Sequence, residues 1–189
     1  MFKLSKGEFG YRKRLKQRYL LYFVLMIVFI GLELYARQFF NEKLQKLLLV
    51  MILLTALPAA LMISRLIAIS RFKTLSKEIY SEYAVFEGSF PVLYELLLTT
   101  TDYILPMDVI AVHPTGGIYA YCSNPKVRVQ KAEDEINGTL RDQNLNFKIR
   151  ISADKKTFDK RIKSLKPSTE YEANEKMDTA IAVLKAMSM

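Results

Sequence analysis

Apolar residues crowd the first third of the chain into two runs, Tyr19 to Ala36 and Leu47 to Ile69, separated by the short polar link Arg37 to Lys46. Eighteen residues at a rise of about 1.5 Å each cover roughly 27 Å, enough to cross a hydrocarbon core. The second run is comparable, because Arg65 can lay its stem along lipid and send its guanidinium to the head groups. The pattern predicts a membrane hairpin of two transmembrane helices, about 19–36 and 47–69, with Tyr19, Tyr22 and Tyr35 near the ends of the first span.

Beyond Ile69 the periodicity changes. Phe72, Leu75, Ile79, Tyr83 and Phe86 recur every three or four residues and predict a linker helix over 70–87, which Gly88 ends and Pro91 keeps from resuming. Val92 to Thr101 reads as a strand or a short helix, followed by Thr99-Thr100-Thr101-Asp102. Tyr103 to His113, the turn Pro114-Thr115-Gly116-Gly117 and Ile118 to Cys122 read as a β-hairpin. Ala132, Ile136 and Leu140 predict a helix within Val127 to Leu145, although Asn137-Gly138 is also a turn signal. Phe147, Ile149 and Ile151 alternate with Lys148 and Arg150 as in a half-buried strand. Lys155 to Leu165 is a short basic helix closed by Pro167. Glu170 to Met187 forms the last helix, capped by Ser168 or Thr169, with Met177, Ile181, Leu184 and Met187 on one face. The expected architecture is therefore a basic cytoplasmic arm (1–18), a transmembrane hairpin (19–69), a linker helix (70–87) and a small cytoplasmic α+β (α/β) domain (88–189).

Charge sharpens the topology. The chain of 189 residues carries a formal net charge of +9. Residues 1–87 hold 14 Lys and Arg against 6 Asp and Glu, whereas residues 88–189 hold 14 against 13. The basicity thus flanks the hairpin, where it attracts anionic lipid of the inner leaflet and sets orientation. Lys3, Lys6, Arg12, Lys13, Arg14, Lys16 and Arg18 on one side, with Arg65, Arg71, Lys73 and Lys77 on the other, outweigh Arg37, Lys43 and Lys46 in the link. Both termini are expected to be cytoplasmic, in a multi-pass protein of the inner or plasma membrane. A nearly neutral tail disfavours nucleic acid as a partner. Glu33, Tyr35, Phe39 and Phe40 follow the first run where a cleaved signal peptide would show small residues, so an uncleaved anchor is expected.

Candidate chemistry is sparse. One cysteine, Cys122, and one histidine, His113, allow neither a disulfide framework nor a cysteine and histidine zinc site. A reducing compartment suits this usage. No phosphate-cradling, dinucleotide, nucleophile-elbow or zincin motif occurs, so no cofactor is expected. Glu33 reads as an interface residue paired with Arg37 four positions on, or as an ion-path residue if it faces another helix. Pro58 predicts a kink, with Ala59 and Ala60 allowing close helix approach. Asn137-Gly138-Thr139 is a glycosylation sequon that faces the cytoplasm on this topology. Cys122 with His113 could imitate a thiol and base pair, but a buried apolar Cys122 and a turn-forming His113 are the plainer readings. The basic run Lys155 to Lys166 reads as a solvated helix face.

The segment Pro106-Met107-Asp108-Val109-Ile110-Ala111-Val112-His113-Pro114-Thr115-Gly116-Gly117-Ile118-Tyr119, preceded by a helix carrying Glu78 and Glu82, resembles the strand-turn-strand core of the nuclease-related domain (NERD), a branch of the PD-(D/E)XK nuclease fold. The resemblance places Asp108 at the family's aspartate and implies a membrane-tethered, metal-dependent nuclease. Cys122 and Asn124, however, stand near the family's glutamate and lysine, and cannot replace the oxygen ligands and the lysine of such a site. The resemblance thus implies a scaffold kept for binding. The expected function is a membrane-anchored, non-catalytic interaction or scaffold protein working with a protein partner or as a homo-oligomer. A NERD-type nuclease and a small oligomeric transporter subunit are the alternatives.

Overall fold

The computed structural model describes residues 5–100, 103–125, 127–171 and 175–189. Lys3, Thr101, Asp102 and the stretch 172–174 of the expected last helix lie outside the described residues. The chain divides into two compact units. One is the hairpin, residues 12–73; the other joins residues 5–11 to residues 74–189.

In the hairpin unit, α1 (Tyr11–Ala36) and α2 (Glu42–Ser70) are connected by a 3-10 turn, Arg37–Phe39, and Asn41. Each helical stretch reaches 29 residues, with mean hydropathy 2.1 and 2.5. Both start earlier than the apolar runs. α1 begins inside the basic arm, and α2 takes up Glu42 to Lys46, so the expected link Arg37 to Lys46 shrinks to residues 37–41. Pro58 lies within the continuous α2, and the adjacent Ala59 is buried. Most of the hairpin's large apolar side chains stand exposed. Of all such exposed side chains among the described residues, all but Val85 and Tyr171 lie between Leu20 and Ile67.

Two cations of the basic arm close the hairpin's open end. Arg12 Nη1 donates to the Lys73 carbonyl at 2.9 Å, and Lys16 Nζ donates to the Phe72 carbonyl at 2.7 Å. Both carbonyls lie just beyond α2, and Lys16 Nζ also reaches the carbonyl of Ser70, the last residue of that helix, at 3.4 Å. Arg12 is 1% exposed. It is therefore spent inside the protein, not on lipid head groups as the charge pattern suggests.

The α/β unit is built on one four-stranded sheet. β1 (Val92–Thr99), β2 (Ile104–Val112) and β3 (Gly117–Tyr121) form an antiparallel meander, and α4 (Val129–Asp142) crosses over to β4 (Lys148–Ser152), parallel to β3. The order is β1-β2-β3-β4. Val92 onward is thus strand rather than helix, and Asn137-Gly138 sits inside α4. α4 and α6 (Glu175–Met187) pack on one face through Ala132, Ile136, Leu140, Ala180 and Leu184. α3 (Lys77–Ala84) and α5 (Lys155–Lys163) cover the other through Tyr83, Phe158 and Ile162.

Two expected helices are corrected. The linker over 70–87 is not one helix: Ser76 caps a separate α3 by accepting the Ile79 amide, and the Leu75 amide is bonded by Glu95. Ser168 and Thr169 do not cap α6. They form their own 3-10 turn, whose Ser168 hydroxyl and amide both reach the Ser89 carbonyl.

Residues 5–11 are no loose arm. The Gly7 carbonyl accepts the Tyr94 amide of β1 at 2.8 Å, Phe9 stacks on Tyr80, and Lys6 Nζ donates to the carbonyls of Lys185 and Ser188 beyond α6. The Tyr11 hydroxyl donates to the Met189 carbonyl. Gly7 has φ +89°, and a Cβ there would stand 2.9 Å from the Leu93 side chain, so the close approach needs glycine.

Both sheet edges are closed. The outer edge of β1 takes Gly7 at one end and Ser188 and Met189 at the other. On β4 the outward amides are capped by side chains of α4: Ile149 N–H by Asn137 Oδ1 at 2.7 Å and Ile151 N–H by Glu133 Oε1 at 2.6 Å. Outward amides taken in this way make β4 a poor template for an added strand.

Candidate functional site

The residue that the resemblance singled out, Asp108, is buried in the middle of β2. Its Oδ2 accepts the Ser123 amide at 2.8 Å, just after β3. In the β1–β2 register Tyr94 faces Val109 and Leu96 faces Met107, which leaves Glu95 opposite Asp108. Glu95 is fully buried, and its backbone takes φ +54°, a left-handed conformation rare outside glycine and asparagine. Its Oε1 accepts the Leu75 amide at 2.6 Å.

This pair marks a change of face in both strands. Side chains on one side of a strand should alternate, yet Leu93 and Leu96 share one core cluster, as do Met107 and Ile110, while Tyr94 and Val109 belong to the other. The left-handed Glu95 lets β1 turn its apolar side chains over midway, and β2 follows. Nearby, burial and then the Asp108 charge push the Tyr121 phenol above its ordinary range.

Each carboxyl is thereby committed to a backbone amide of another segment, Glu95 to the approach to α3 and Asp108 to the exit of β3. Two carboxyls at one register position supply hard oxygens, but among the described residues no three His, Cys, Asp or Glu side chains converge on a point. Glu95 escaped the sequence reading. Its signal is a lone acid within the apolar Val-Leu-Tyr-Glu-Leu-Leu-Leu-Thr of β1, and only the strand register shows that it faces Asp108.

The other sequence candidates do not join this site. Cys122 is buried in the apolar cluster that α4 covers, and its Sγ lies 3.9 Å from the Asn124 carbonyl. His113 stands at the opposite end of β3. Its Nε2 donates to the Lys166 carbonyl at 3.0 Å, and Nδ1 meets the Thr115 hydroxyl at 2.7 Å. Both ring nitrogens are engaged at the far end of β3 from Cys122, so no thiol and base pair forms. Gly116, with φ +90°, lets the turn lie against Asn146, whose carbonyl would be 2.7 Å from a Cβ there.

On the α3–α5 face a cleft of about 140 Å³ is lined by Tyr83, Val85, Phe86 and Ile162 with Glu82 and Asp159. Glu82 is bridged to Lys155 at 2.6 Å, and the Tyr83 hydroxyl donates to Asp159 at 2.5 Å. Burial and then that hydrogen bond push the Tyr83 phenol up. The sequon residue Asn137 uses its amide to cap β4, accepting the Ile149 N–H and donating to the Ile149 carbonyl. Modification would break that bracket.

In the hairpin, Glu33 does not pair with Arg37. Its carboxyl is buried toward α2, with Oε1 3.2 Å from the Thr55 hydroxyl. Comparison with protein-family models, with curated proteins and with solved structures returns no match.

Proposed function

We propose that the chain is a membrane-anchored interaction protein of the inner or plasma membrane, whose hairpin crosses the bilayer twice and holds a small, non-catalytic α/β domain at the cytoplasmic surface. The observation that carries this reading is the reversal of burial along one chain: apolar side chains face outward over two 29-residue stretches and inward elsewhere. Leu, Ile and Phe exposed over most of a long helix are stable in lipid and unfavourable in water. The chain leaves the α/β unit after Tyr11 and re-enters it at Thr74. A twice-crossing hairpin meets that connectivity, because both of its ends emerge on one side.

The partners are the anionic inner leaflet and a protein, either a second copy or another chain; nucleic acid is disfavoured. Closed sheet edges disfavour a partner that adds a strand, which leaves helix faces for recognition. The NERD-type nuclease reading asks for more carboxylates around Asp108 than Glu95 alone. The Glu33–Thr55 contact favours a second reading, a small oligomeric transporter subunit, which loss of ion flux in reconstituted E33Q would support.

Cysteine labelling in intact cells tests the topology. With a membrane-impermeant thiol reagent and Cys122→Ala as background, Gln38→Cys is expected to react and Ser164→Cys to stay unlabelled until the cells are lysed. Reaction at Ser164→Cys in intact cells overturns the cytoplasmic placement. Metal-dependent nuclease activity of the purified full chain, lost in Asp108→Ala, overturns the non-catalytic reading.

A further inference from the structure

The near neutrality of residues 88–189 hides a division of charge. Residues 148–166 hold 8 Lys and Arg against 2 Asp and Glu, and the remainder of that range holds 6 against 11. α5 alone carries 5 against 1, whereas α4 and α6, on the opposite face of the sheet, carry 4 against 6.

Strand register and helix geometry gather these cations on one surface. Ile149 and Ile151 point into the cluster under α4 and α6, so Lys148 and Arg150, which alternate with them, point to the α5 side, where both are exposed. Arg150 stands opposite Tyr119 of β3, and Lys148 opposite Gly117. The Tyr119 hydroxyl lies 2.7 Å from where a Gly117 Cβ would be, so the ring lies along β3 over that glycine. Arg161 of α5 covers the ring, 4.8 Å from its centroid, and donates to the hydroxyl at 2.8 Å. Tyr119 thus holds a guanidinium beside the strand that carries Lys148 and Arg150. Lys156, Lys160 and Lys163 continue the patch over the outward side of α5, away from the buried Phe158 and Ile162. The one acid of α5, Asp159, is turned toward α3, where it accepts the Tyr83 hydroxyl. Among the described residues none of the six patch cations has an ion pair. Like charges gathered without an acid repel one another, and a negative surface relieves that repulsion.

We propose that this β4–α5 face docks on the anionic head groups of the bilayer, through Lys148, Arg150 and Arg161 together with the lysines of α5. The inference rests on the reading that the hairpin crosses a membrane, and it assigns the inner-leaflet contact to a defined surface of the α/β unit. A broad array of Lys and Arg suits a diffuse negative layer, which asks for charge without directed contacts. Single-stranded nucleic acid asks for open aromatic faces on which bases stack. The ring on this patch, Tyr119, is covered by Arg161.

Thiol modification of the full chain in vesicles tests the docking. In a Cys122→Ala background, Ser164→Cys reports from one turn after Arg161, and Asp134→Cys from the exposed side of α4. Polyethylene-glycol maleimide does not cross a bilayer and reads outward-facing units alone. Ser164→Cys is expected to react at least about fivefold more slowly in vesicles of phosphatidylcholine with phosphatidylglycerol than in phosphatidylcholine alone, since each docked Lys or Arg is worth about that factor. High salt should restore its rate. Asp134→Cys should react alike in both lipids. Lys148→Glu with Arg150→Glu is expected to restore the fast rate at Ser164→Cys. Lys156→Glu with Lys160→Glu, on the helix instead of the strand, should do the same and decides the matter if the first pair does not fold. A rate at Ser164→Cys that ignores lipid charge, or a slowing that survives both charge reversals, overturns the proposal. So does a slowing by polyuridylate in phosphatidylcholine vesicles where phosphatidylglycerol causes none. Alkaline extraction of the same vesicles reads insertion separately: chain that resists alkali yet reacts at one rate in both lipids defeats the docking and leaves the anchor standing.

Discussion

Leu53 in α2 and Leu96 in β1 are the same residue in opposite situations, 67% and 0% exposed. The hairpin unit spends its leucines on its outside, and the α/β unit spends them between sheet and helices. Internal polar contacts follow the same division. In the hairpin they gather at the open end, where Arg12 and Lys16 bond carbonyls that follow α2, and at Glu33 with Thr55. In the α/β unit they brace segment against segment, as Glu95, Asp108, Asn137 and Glu133 do with backbone amides. One unit turns most of its apolar side chains outward, the other packs them away from water in its own interior.

The contrast breaks most visibly at the two leucines. Leu96→Ala is expected to destabilise the α/β unit by about 2–5 kcal/mol, read as a lower denaturation midpoint, because the cavity opens in a packed core. An equally small effect at Leu96 as at an exposed site would mean that the core is not where the burial places it. Leu53→Arg is expected to impair insertion by roughly 2.5–3.5 kcal/mol, read from the fraction resistant to alkaline extraction, as for an arginine at the centre of a lipid-exposed helix. Unchanged extraction would place that face in water.

The bracing of β4 offers a finer comparison. Asn137→Ala and Glu133→Ala each strand a buried strand amide and are expected to cost about 1–3 kcal/mol. Hydrogen exchange should quicken at Ile149 in the first variant and at Ile151 in the second, with each amide responding to its own partner. The smallest effect expected is at Asp154, whose carboxylate caps α5. The Thr157 hydroxyl and amide hold that carboxyl below the usual range. Its contribution is complete above the ordinary carboxylate range and is lost as pH falls through the lowered native value. Asp154→Asn should therefore remove that part of the acid-side decline in stability, measured as midpoint against pH.

The elements whose contacts are local were readable from periodicity. Val109 to Val112 with the Pro114 to Gly117 turn yielded the β2–β3 hairpin, and Ala132, Ile136 and Leu140 yielded α4 despite Asn137-Gly138. A misreading arose where a polar residue works at long range: Arg12 looked like a lipid anchor but bonds the Lys73 carbonyl. The site was half legible. Asp108 stood out by resemblance, whereas its facing Glu95 depends on a strand register and on a left-handed backbone that no spacing announces.

The seating of residues 5–11 beside β1 and α6 also bears on how the protein comes into being. Lys6 meets its carbonyl partners 179 and 182 positions later, and Tyr11 meets Met189 after 178. A segment made early must wait for one made far later in the chain. Residues 12–73 are synthesised in between, so both helices of the hairpin are complete before the α/β unit can close. A cut at the exposed Gln38 or Asn41 would leave two chains that remain clasped through the α/β unit, much as a nicked ring stays joined at its clasp.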